Sequence, residues 1–182
     1  NALQIGEGGI ESISYPAKNN FYAAEGTVLF WIKPLDFQDL ASAPKGIYQL
    51  FYLTGGQEKN RWGLQLQRGQ DKATLALISI RFPNRKDLFL GTAQPRTWKN
   101  QEWHLIGLTW DDREMILYID ALVAARKQLA EPYSQKDFDD KVIKIGYETG
   151  VPGKENSAIA DLRVFCRKLS HQEIKEAWQK HP

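Results

Sequence analysis

Short apolar runs separated by turn-forming residues recur along the chain. The clearest alternation lies at 61–67, where Trp62, Leu64 and Leu66 alternate with polar positions. Side chains on a strand point alternately to opposite faces, so this run predicts a strand with one dry and one wet face. Runs rich in β-branched and aromatic residues predict further strands at 27–33, 47–53, 74–82, 88–90, 103–110, 114–120, 141–147 and 158–166.

The connections between these runs favour antiparallel pairing. Asp111-Asp112-Arg113 separates two strands by a length that suits a hairpin. Strands do not alternate with helices in the regular order that a parallel sheet requires. We therefore expect an all-β sandwich or barrel.

One helix is predicted near the C-terminus. Ser170 and Glu173 have the spacing of a capping box, in which each side chain accepts a hydrogen bond from a backbone N–H at the helix start. Ile174, Ala177 and Trp178 then form one apolar stripe that can lie on the sandwich.

Composition limits the class of protein. The 182 residues suit one domain with a real core, and no linker-like stretch divides them, so we predict a single domain over 1–182. Lys plus Arg number 24 against 22 Asp plus Glu, and this balance argues against nucleic-acid binding. No apolar run approaches the ~20 residues needed to cross a bilayer, so membrane insertion is not expected. The single cysteine, Cys166, lies in an apolar strand pattern and is expected to be buried.

Five segments of the chain follow one another in a familiar order. Glu25–Pro34 reads EGTVLFWIKP and Trp103–Asp111 reads WHLIGLTWD. Leu117–Asp120, Ile143–Gly146 and Ala158–Ile174 come after them. Together they resemble the conserved strands of laminin-G-like jelly-roll domains, which belong to the concanavalin A-like lectin/glucanase superfamily.

The resemblance implies two packed antiparallel sheets, one convex and one concave, and hence a jelly-roll sandwich with one short C-terminal helix. Ala121 stands where the family's hairpin has glycine, which leaves the type of that turn open. Members are mostly extracellular, are often joined to enzymes or adhesins, and bind carbohydrate or protein. We therefore expect a secreted, cell-surface or periplasmic location, within a larger bacterial protein that has neighbouring domains.

Catalysis on this sandwich requires a recognisable set of carboxylates. Related hydrolases carry them at alternating positions of one strand, where a nucleophile and an acid can sit roughly 5 Å apart. That spacing is absent, and the acidic stretches Asp111–Glu114 and Asp137–Asp140 are typical of solvated turns. His104, His171 and His181 fit no nucleophile–base or metal-ligand spacing, so we predict no catalytic residue.

A structural calcium ion is the one cofactor that the resemblance suggests. It points to Asp161, with Glu7 or another N-terminal oxygen as partner, and Ca²⁺ prefers such hard oxygen ligands. The alternative is that Asp161 accepts backbone N–H bonds and locks the last strand to the first. The loop Asp137–Asp140 is a weaker candidate because it lacks the glycine of an EF-hand loop.

A sugar-binding face needs flat rings beside planar polar groups. Arg61, Gln65 and Gln67 fall on one side of their strand, and with Arg81 and Tyr52 they form our candidate ligand-binding set. These residues can share one face only if 61–67 and 74–82 pair as a hairpin, and that pairing would also bring Ser79 to the face. Tyr48 and Tyr147 are further candidate aromatic rings. The alternative is an ordinary wet sheet face.

The tryptophans divide into two groups. Trp31, Trp103, Trp110 and Trp178 lie in the segments that carry the family resemblance and are predicted to be core. Trp62 and Trp98 are not assigned to the core.

These observations favour a non-catalytic binding or interaction module. Glycan is the ligand class that the resemblance favours, and another protein is the alternative partner. A structural accessory domain that packs on its neighbour is the second hypothesis. A glycoside hydrolase is the third, and the missing carboxylates disfavour it.

Overall fold

The computed structural model describes residues 2–5, 12–35, 48–54, 64–68, 77–80, 88–91, 99–146 and 157–180. These residues form strands and one α-helix, with a single 3₁₀ turn at Gln135–Asp137. The strands are Leu3–Ile5 (β1), Ser12–Pro16 (β2), Gly26–Pro34 (β3), Tyr48–Thr54 (β4), Leu64–Arg68 (β5), Leu77–Ile80 (β6), Leu88–Gly91 (β7), His104–Trp110 (β8), Glu114–Ile119 (β9), Leu122–Gln128 (β10), Val142–Gly146 (β11) and Ser157–Phe165 (β12). The helix, α1, spans His171–Gln179.

The strands form two six-stranded sheets in which every pair is antiparallel. The first sheet has the order β1-β12-β3-β8-β9-β10, and the second has the order β2-β11-β4-β5-β6-β7. The predicted all-β, two-sheet sandwich with one short C-terminal helix is therefore confirmed. Among the described helices, none combines the length and hydropathy of a membrane span.

Strand β3 is buried on both faces, and this organises the first sheet. Val28, Phe30 and Ile32 belong to the core between the two sheets. Leu29 and Trp31 alternate with them and belong to a second apolar cluster, which also contains Ile174 of α1. The helix therefore covers the outer face of the first sheet.

Two glycines make room for this packing. A Cβ at Gly26 would overlap the indole ring of Trp110, which is 1% exposed. A Cβ at Gly107 would lie 3.2 Å from Leu29 Cδ1 and 3.6 Å from Ile174 Cδ1, so this glycine lets the helix approach the sheet. The glycines thus set the distance between layers that must be in contact.

Hydrogen bonds fix the segment between β12 and α1 to the start of β3. The buried Thr27 hydroxyl donates to the Arg167 carbonyl at 2.9 Å and accepts from the Leu169 backbone N–H at 2.9 Å. This one side chain therefore satisfies two backbone groups of a segment that has left the sheet. The helix that follows is held at a defined place above β3.

The predicted capping box is present at the start of α1. Ser170 Oγ accepts from the Glu173 N–H at 3.3 Å, and the Ser170 N–H donates to Glu173 Oε2 at 2.8 Å. The Arg167 guanidinium donates to both oxygens of Glu173, and with the Ser170 bonds it lowers the pKa of Glu173 to about 2. The helix start is thus capped from both directions.

The turn between β9 and β10 keeps the geometry expected of a two-residue hairpin. Asp120 and Ala121 have φ values of 52° and 61°, and the flanking residues Ile119 and Leu122 pair directly. Positive φ at both central residues is typical of a type I′ turn. Ala121, at the position where the family has glycine, therefore lies in a turn with the φ signs of type I′. The Ala121 carbonyl accepts a hydrogen bond from His171 Nε2 at 2.8 Å, which ties this turn to α1.

Two predictions about burial were wrong. Cys166 is exposed, because β12 ends at Phe165 and the thiol falls in the turn that follows. Trp178 is 44% exposed, since the apolar stripe of α1 reaches the first sheet through Ile174 and Ala177. Trp31 and Trp110 are buried as predicted, and Trp103 is half-buried against the outer cluster.

Three strands were missed by the pattern analysis: β1, β2 and β10. β1 has only three residues, and β10 has no fully buried residue to create an alternation. β2 has half-buried and exposed positions only. The predicted strands at 74–82 and 61–67 continue into positions outside the described residues.

The acidic hairpin between β8 and β9 is a structural clamp. Asp111 Oδ1 accepts from the backbone N–H groups of Arg113 and Glu114, both at 2.8 Å. Lys168 Nζ, from beyond β12, donates to Asp111 Oδ2 at 2.7 Å and to Glu114 Oε1 at 2.8 Å. The ammonium therefore joins the hairpin to the segment that leads into α1.

Burial and ion pairing act in opposite directions on the pKa values of Asp111 and Lys168, the two residues at the centre of this clamp. Burial alone would raise the pKa of Asp111, but the hydrogen bonds from Lys168, Arg113 and Glu114 outweigh it and lower that pKa. Burial alone would lower the pKa of Lys168, but its bonds to Asp111 and Glu114 outweigh it and raise that pKa. Both shifts favour the charged pair in the folded state.

We predict that Gly26→Ala lowers the free energy of unfolding by about 1–3 kcal/mol, because the added methyl group overpacks a buried indole. Gly107→Ala is the matched control, and its smaller effect is expected because the Leu29 side chain can shift. Urea unfolding followed by tryptophan fluorescence measures both. An equal loss in the two variants would contradict the proposed role of Trp110.

We predict that Lys168→Met lowers the free energy of unfolding by about 1–2 kcal/mol near neutral pH, between the values for exposed and buried ion pairs. The lowered Asp111 pKa means that its contribution is present above about pH 3.8 and is lost as the pH falls through the folded-state value. The raised Lys168 pKa means that its contribution is present below about pH 10.5 and is lost as the pH rises further.

Unfolding curves at several pH values test this profile. The difference between wild type and Lys168→Met should shrink in acid and in strong alkali. Lys175→Met, at an exposed position of α1, is the control and should change stability by less than about 0.5 kcal/mol. A difference that is constant with pH would show that the clamp acts through packing alone.

Candidate functional site

The hairpin that the candidate sugar-binding face requires is present. β5 pairs with β6, and the register places Gln65 opposite Ser79. On the other side of β5, Gln65 is opposite Tyr52 of β4. Tyr52 is in turn opposite Lys144 of β11, so the four residues form one cross-strand row. Gln67 lies two residues along β5 from Gln65, on the same face.

This row belongs to the outer face of the second sheet. Lys144 alternates with Ile143 and Ile145, which are buried in the core between the sheets. Lys144 therefore lies on the face of β11 turned away from the core. The register places Tyr52, Gln65 and Ser79 level with it on β4, β5 and β6. We call this surface the polar outer face.

Some of the predicted residues cannot be placed on it. Arg61, Arg81 and Tyr147 lie outside the described residues, as do Trp62 and Trp98. Tyr48 pairs with Arg68, and a register shift between Gln49 and Phe51 separates it from Tyr52. A bulge of this kind breaks the period-two alternation.

Asp161, the predicted calcium ligand, lies in an irregular part of β12. Its φ is 51°, and the register with β3 shifts between Ala160 and Arg163. Both of its carboxylate oxygens accept hydrogen bonds from the Arg163 guanidinium, Oδ1 at 2.7 Å from Nε. The alternative, in which Asp161 accepts backbone N–H bonds and locks the last strand to the first, stays a prediction.

The predicted partner Glu7 lies outside the described residues, and so the calcium pair stays a prediction. The described part of the chain contains no group of three or more His, Cys, Asp or Glu side chains arranged to hold a metal ion. Of the weaker candidate loop, Asp139 Oδ1 accepts from Gln135 Nε2 and Asp140 Oδ1 from Lys141 Nζ.

The histidines have structural contacts. His104 Nδ1 lies 2.9 Å from Asp120 Oδ2, and Asp120 Oδ1 accepts the Leu105 backbone N–H at 3.0 Å. This pair holds the turn between β9 and β10 against β8. His171 binds the Ala121 carbonyl, as described above, and His181 lies outside the described residues.

A groove that the sequence analysis did not find opens where the edges of the two sheets meet. Its volume is about 580 Å³, and it lies between β12 of the first sheet and β2 and β11 of the second. We call it the edge groove. Its lining residues are Leu3, Ile13, Tyr15, Asn19, Asn20, Tyr22, Ile143, Ile145, Ile159, Ala160, Asp161, Leu162, Val164 and Cys166.

The rim of the edge groove is shaped by the turn after β2. The backbone N–H groups of Asn20 and Phe21 both donate to the Ala17 carbonyl, at 2.9 and 2.8 Å. Asn19 has a φ of 66°, a conformation that asparagine tolerates better than most residues. Asn20 Nδ2 donates to the Pro16 carbonyl at 3.0 Å, which fixes that side chain.

Two tyrosines flank this turn. Tyr15 is 48% exposed and Tyr22 is 46% exposed, although both line the groove. Phe21, between the turn and Tyr22, stacks on Trp110 at 4.9 Å, and Trp110 Nε1 donates to the Tyr22 carbonyl at 3.1 Å. The backbone at Tyr22 is therefore anchored to the core while its ring stays at the surface.

Comparison with known proteins supports the fold independently. The profile of Laminin_G_3, described as the concanavalin A-like lectin/glucanases superfamily, matches residues 7–175. A search of curated protein sequences gave no match.

Among solved structures, the receptor binding domain of botulinum neurotoxin D is similar, with a TM-score of 0.70 and 19% identity. The alignment covers 98% of this chain and 43% of that one. The receptor binding domain of the botulinum neurotoxin C/D mosaic serotype has a TM-score of 0.70 and 18% identity, over 100% of this chain and 43% of that one. The serotype G binding domain has a TM-score of 0.62 and 14% identity, over 86% and 36% of the two chains.

The chain thus spans less than half the length of these structures, and at such identities the likeness concerns the fold alone. The profile match covers most of the chain, including all five segments on which the resemblance was based. The chain belongs to the laminin-G-like family of the concanavalin A-like lectin/glucanase superfamily.

Proposed function

We propose that this chain is a non-catalytic carbohydrate-binding domain, and that the polar outer face is its main contact surface. The observation that carries the proposal is the cross-strand row of Lys144, Tyr52, Gln65 and Ser79. Gln67 and, by its place in the sequence, Arg81 would extend the same surface. We take residues 1–182 as one domain of a larger exported bacterial protein.

The chemistry of the row suits a glycan. An amide such as that of Gln65 can donate and accept at once, which matches pairs of sugar hydroxyl groups. Tyrosine offers a flat apolar ring with a polar tip. Neighbouring strands of a sheet present these groups at regular spacing, and a chain of sugar units could bind along them.

The layering of the sandwich favours the same surface. α1 covers much of the outer face of the first sheet, so that face offers little open strand surface among the described residues. The second sheet has no described helix on its outer side. A ligand that needs an open sheet face is therefore best accommodated on the second sheet.

A non-catalytic role fits the contacts of the acidic side chains. Asp111 and Glu114, two carboxylates of the hairpin, are both bound to Lys168. Asp161 is bound to Arg163. A carboxylate whose oxygens are occupied by an ion pair is poorly placed to donate a proton to a substrate.

A second candidate function is that of an accessory domain packed on a neighbour. Leu122 and Val123 are adjacent, both exposed, and lie at the start of the edge strand β10. Exposed apolar residues on a sheet edge favour contact with another protein surface. The partial coverage of the similar structures is consistent with a neighbouring domain.

A glycan array probed with the isolated chain tests the proposed function. We expect weak binding to glycans, since an open face buries few contacts. The double variant Gln65→Ala/Arg81→Ala should abolish the binding of glycan chains along this face while changing the free energy of unfolding by less than about 0.5 kcal/mol. Gln172→Ala, at an exposed position of α1, is the control and should bind as the wild type does.

Incubation with each bound glycan should release no reducing sugar. Release that disappears on mutation of Asp111, Asp112 or Glu114 would show the hairpin to be an active site. Undiminished binding of glycan chains by the double variant would remove the polar outer face as the contact surface, and an array with no bound glycan would favour the accessory role.

A further inference from the structure

The edge groove is a second candidate ligand site, separate from the polar outer face. Its volume of about 580 Å³ falls within the roughly 300–1,000 Å³ of small-molecule sites. We propose that it binds a single neutral pyranose unit. The inference shares only its ligand class with the proposed function and concerns a different part of the surface.

The floor of the groove is apolar and well fixed. Ile143, Ile145 and Ile159 line it and are at most 5% exposed, because they belong to the core between the sheets. Side chains packed in a core leave the shape of such a floor constant. One face of the ligand must therefore be apolar, as is the C–H face of a pyranose ring.

The walls provide two aromatic rings. Tyr15 and Tyr22 stand on either side of the turn after β2, and each is about half exposed at the groove. Their phenol groups can both stack on an apolar ring face and bind a hydroxyl group. A second aromatic wall adds contact area without adding charge.

The rim provides planar amides. Asn19 and Asn20 line the groove, and the hydrogen bond from Asn20 to the Pro16 carbonyl holds one of them in place. A side chain that is already fixed loses little rotational entropy when it binds. Amide groups beside an apolar floor match a ligand with hydroxyl groups around its edge.

Charge favours a neutral ligand. Among the described residues that line the groove, Asp161 is the one with a charge, and Arg163 binds both of its oxygens. Within this described lining, the pair leaves no net charge to attract an ionic ligand. A neutral ligand with an apolar face and polar edges fits the whole set of contacts.

The single cysteine offers a direct reporter of occupancy. Cys166 is the only cysteine of the chain, is exposed, and lines the groove. The rate at which iodoacetamide alkylates it, read by mass spectrometry, therefore depends on whether the groove is filled. The probes are the methyl pyranosides of glucose, galactose and mannose, each titrated into the millimolar range.

We expect at least one of the three glycosides to slow alkylation by about threefold or more at saturation, because a bound sugar covers the thiol. The same glycoside should shift the side-chain amide signals of Asn19 and Asn20 in a nitrogen-15 spectrum. Tyr15→Ala and Tyr22→Ala should each abolish both effects, while Tyr22→Phe should retain them.

Gln65→Ala separates this inference from the proposed function. It should leave Cys166 protection unchanged, even though it weakens binding at the polar outer face. Thermal unfolding of each variant shows whether it is folded. Protection that survives both tyrosine-to-alanine variants, or that is lost in Gln65→Ala, overturns the inference. So does the absence of protection and of amide shifts with all three glycosides.

Discussion

The burial of both faces of β3 is the constraint on which the rest of the structure depends. Its inward residues fill the core between the sheets, and Leu29 and Trp31 on its other face also require cover. That cover comes from α1, so the chain must continue past β12 and return over the first sheet. Thr27, the capping box at Ser170 and the Lys168 clamp all act on this return segment. They place Ile174 above Gly107, where the missing side chain lets the helix come close.

This arrangement makes the two sheets unequal. The outer side of the first sheet is covered by the chain's own helix α1. The second sheet keeps an outer face with a row of polar residues and Tyr52. Between the sheets, the short β1 pairs with only part of β12, and the groove lies beside the remainder. The two proposed ligand surfaces therefore lie on the second sheet and along one edge of the sandwich.

Sequence patterns predicted the elements whose residues have strong local signals. The aromatic and β-branched run at 27–33, the hairpin at Asp111 and the capping box at Ser170 all form as expected. β1 and β10 were not predicted, because a short or exposed edge strand shows no regular alternation of apolar and polar residues. Trp178 and Cys166 were misjudged because burial at the end of an element depends on where the element stops. The edge groove could not be predicted, since Tyr15, Asn20 and Asp161 become neighbours only through the packing of two sheets.

Because β12 lies between β1 and β3, strands from early and late parts of the sequence must pair in the first sheet. This order matters during synthesis. On the ribosome, β3 emerges early but lacks a neighbour on one side until residues 157–165 have been translated. Until then the backbone groups on that side of β3 have no strand partner, and Leu29 and Trp31 lack the cover of α1. A premature stop or a proteolytic cut before β12 would remove the strand from inside the first sheet, together with the segment that Thr27 binds. In such a truncated product β3 would become an edge strand of what remains of the first sheet.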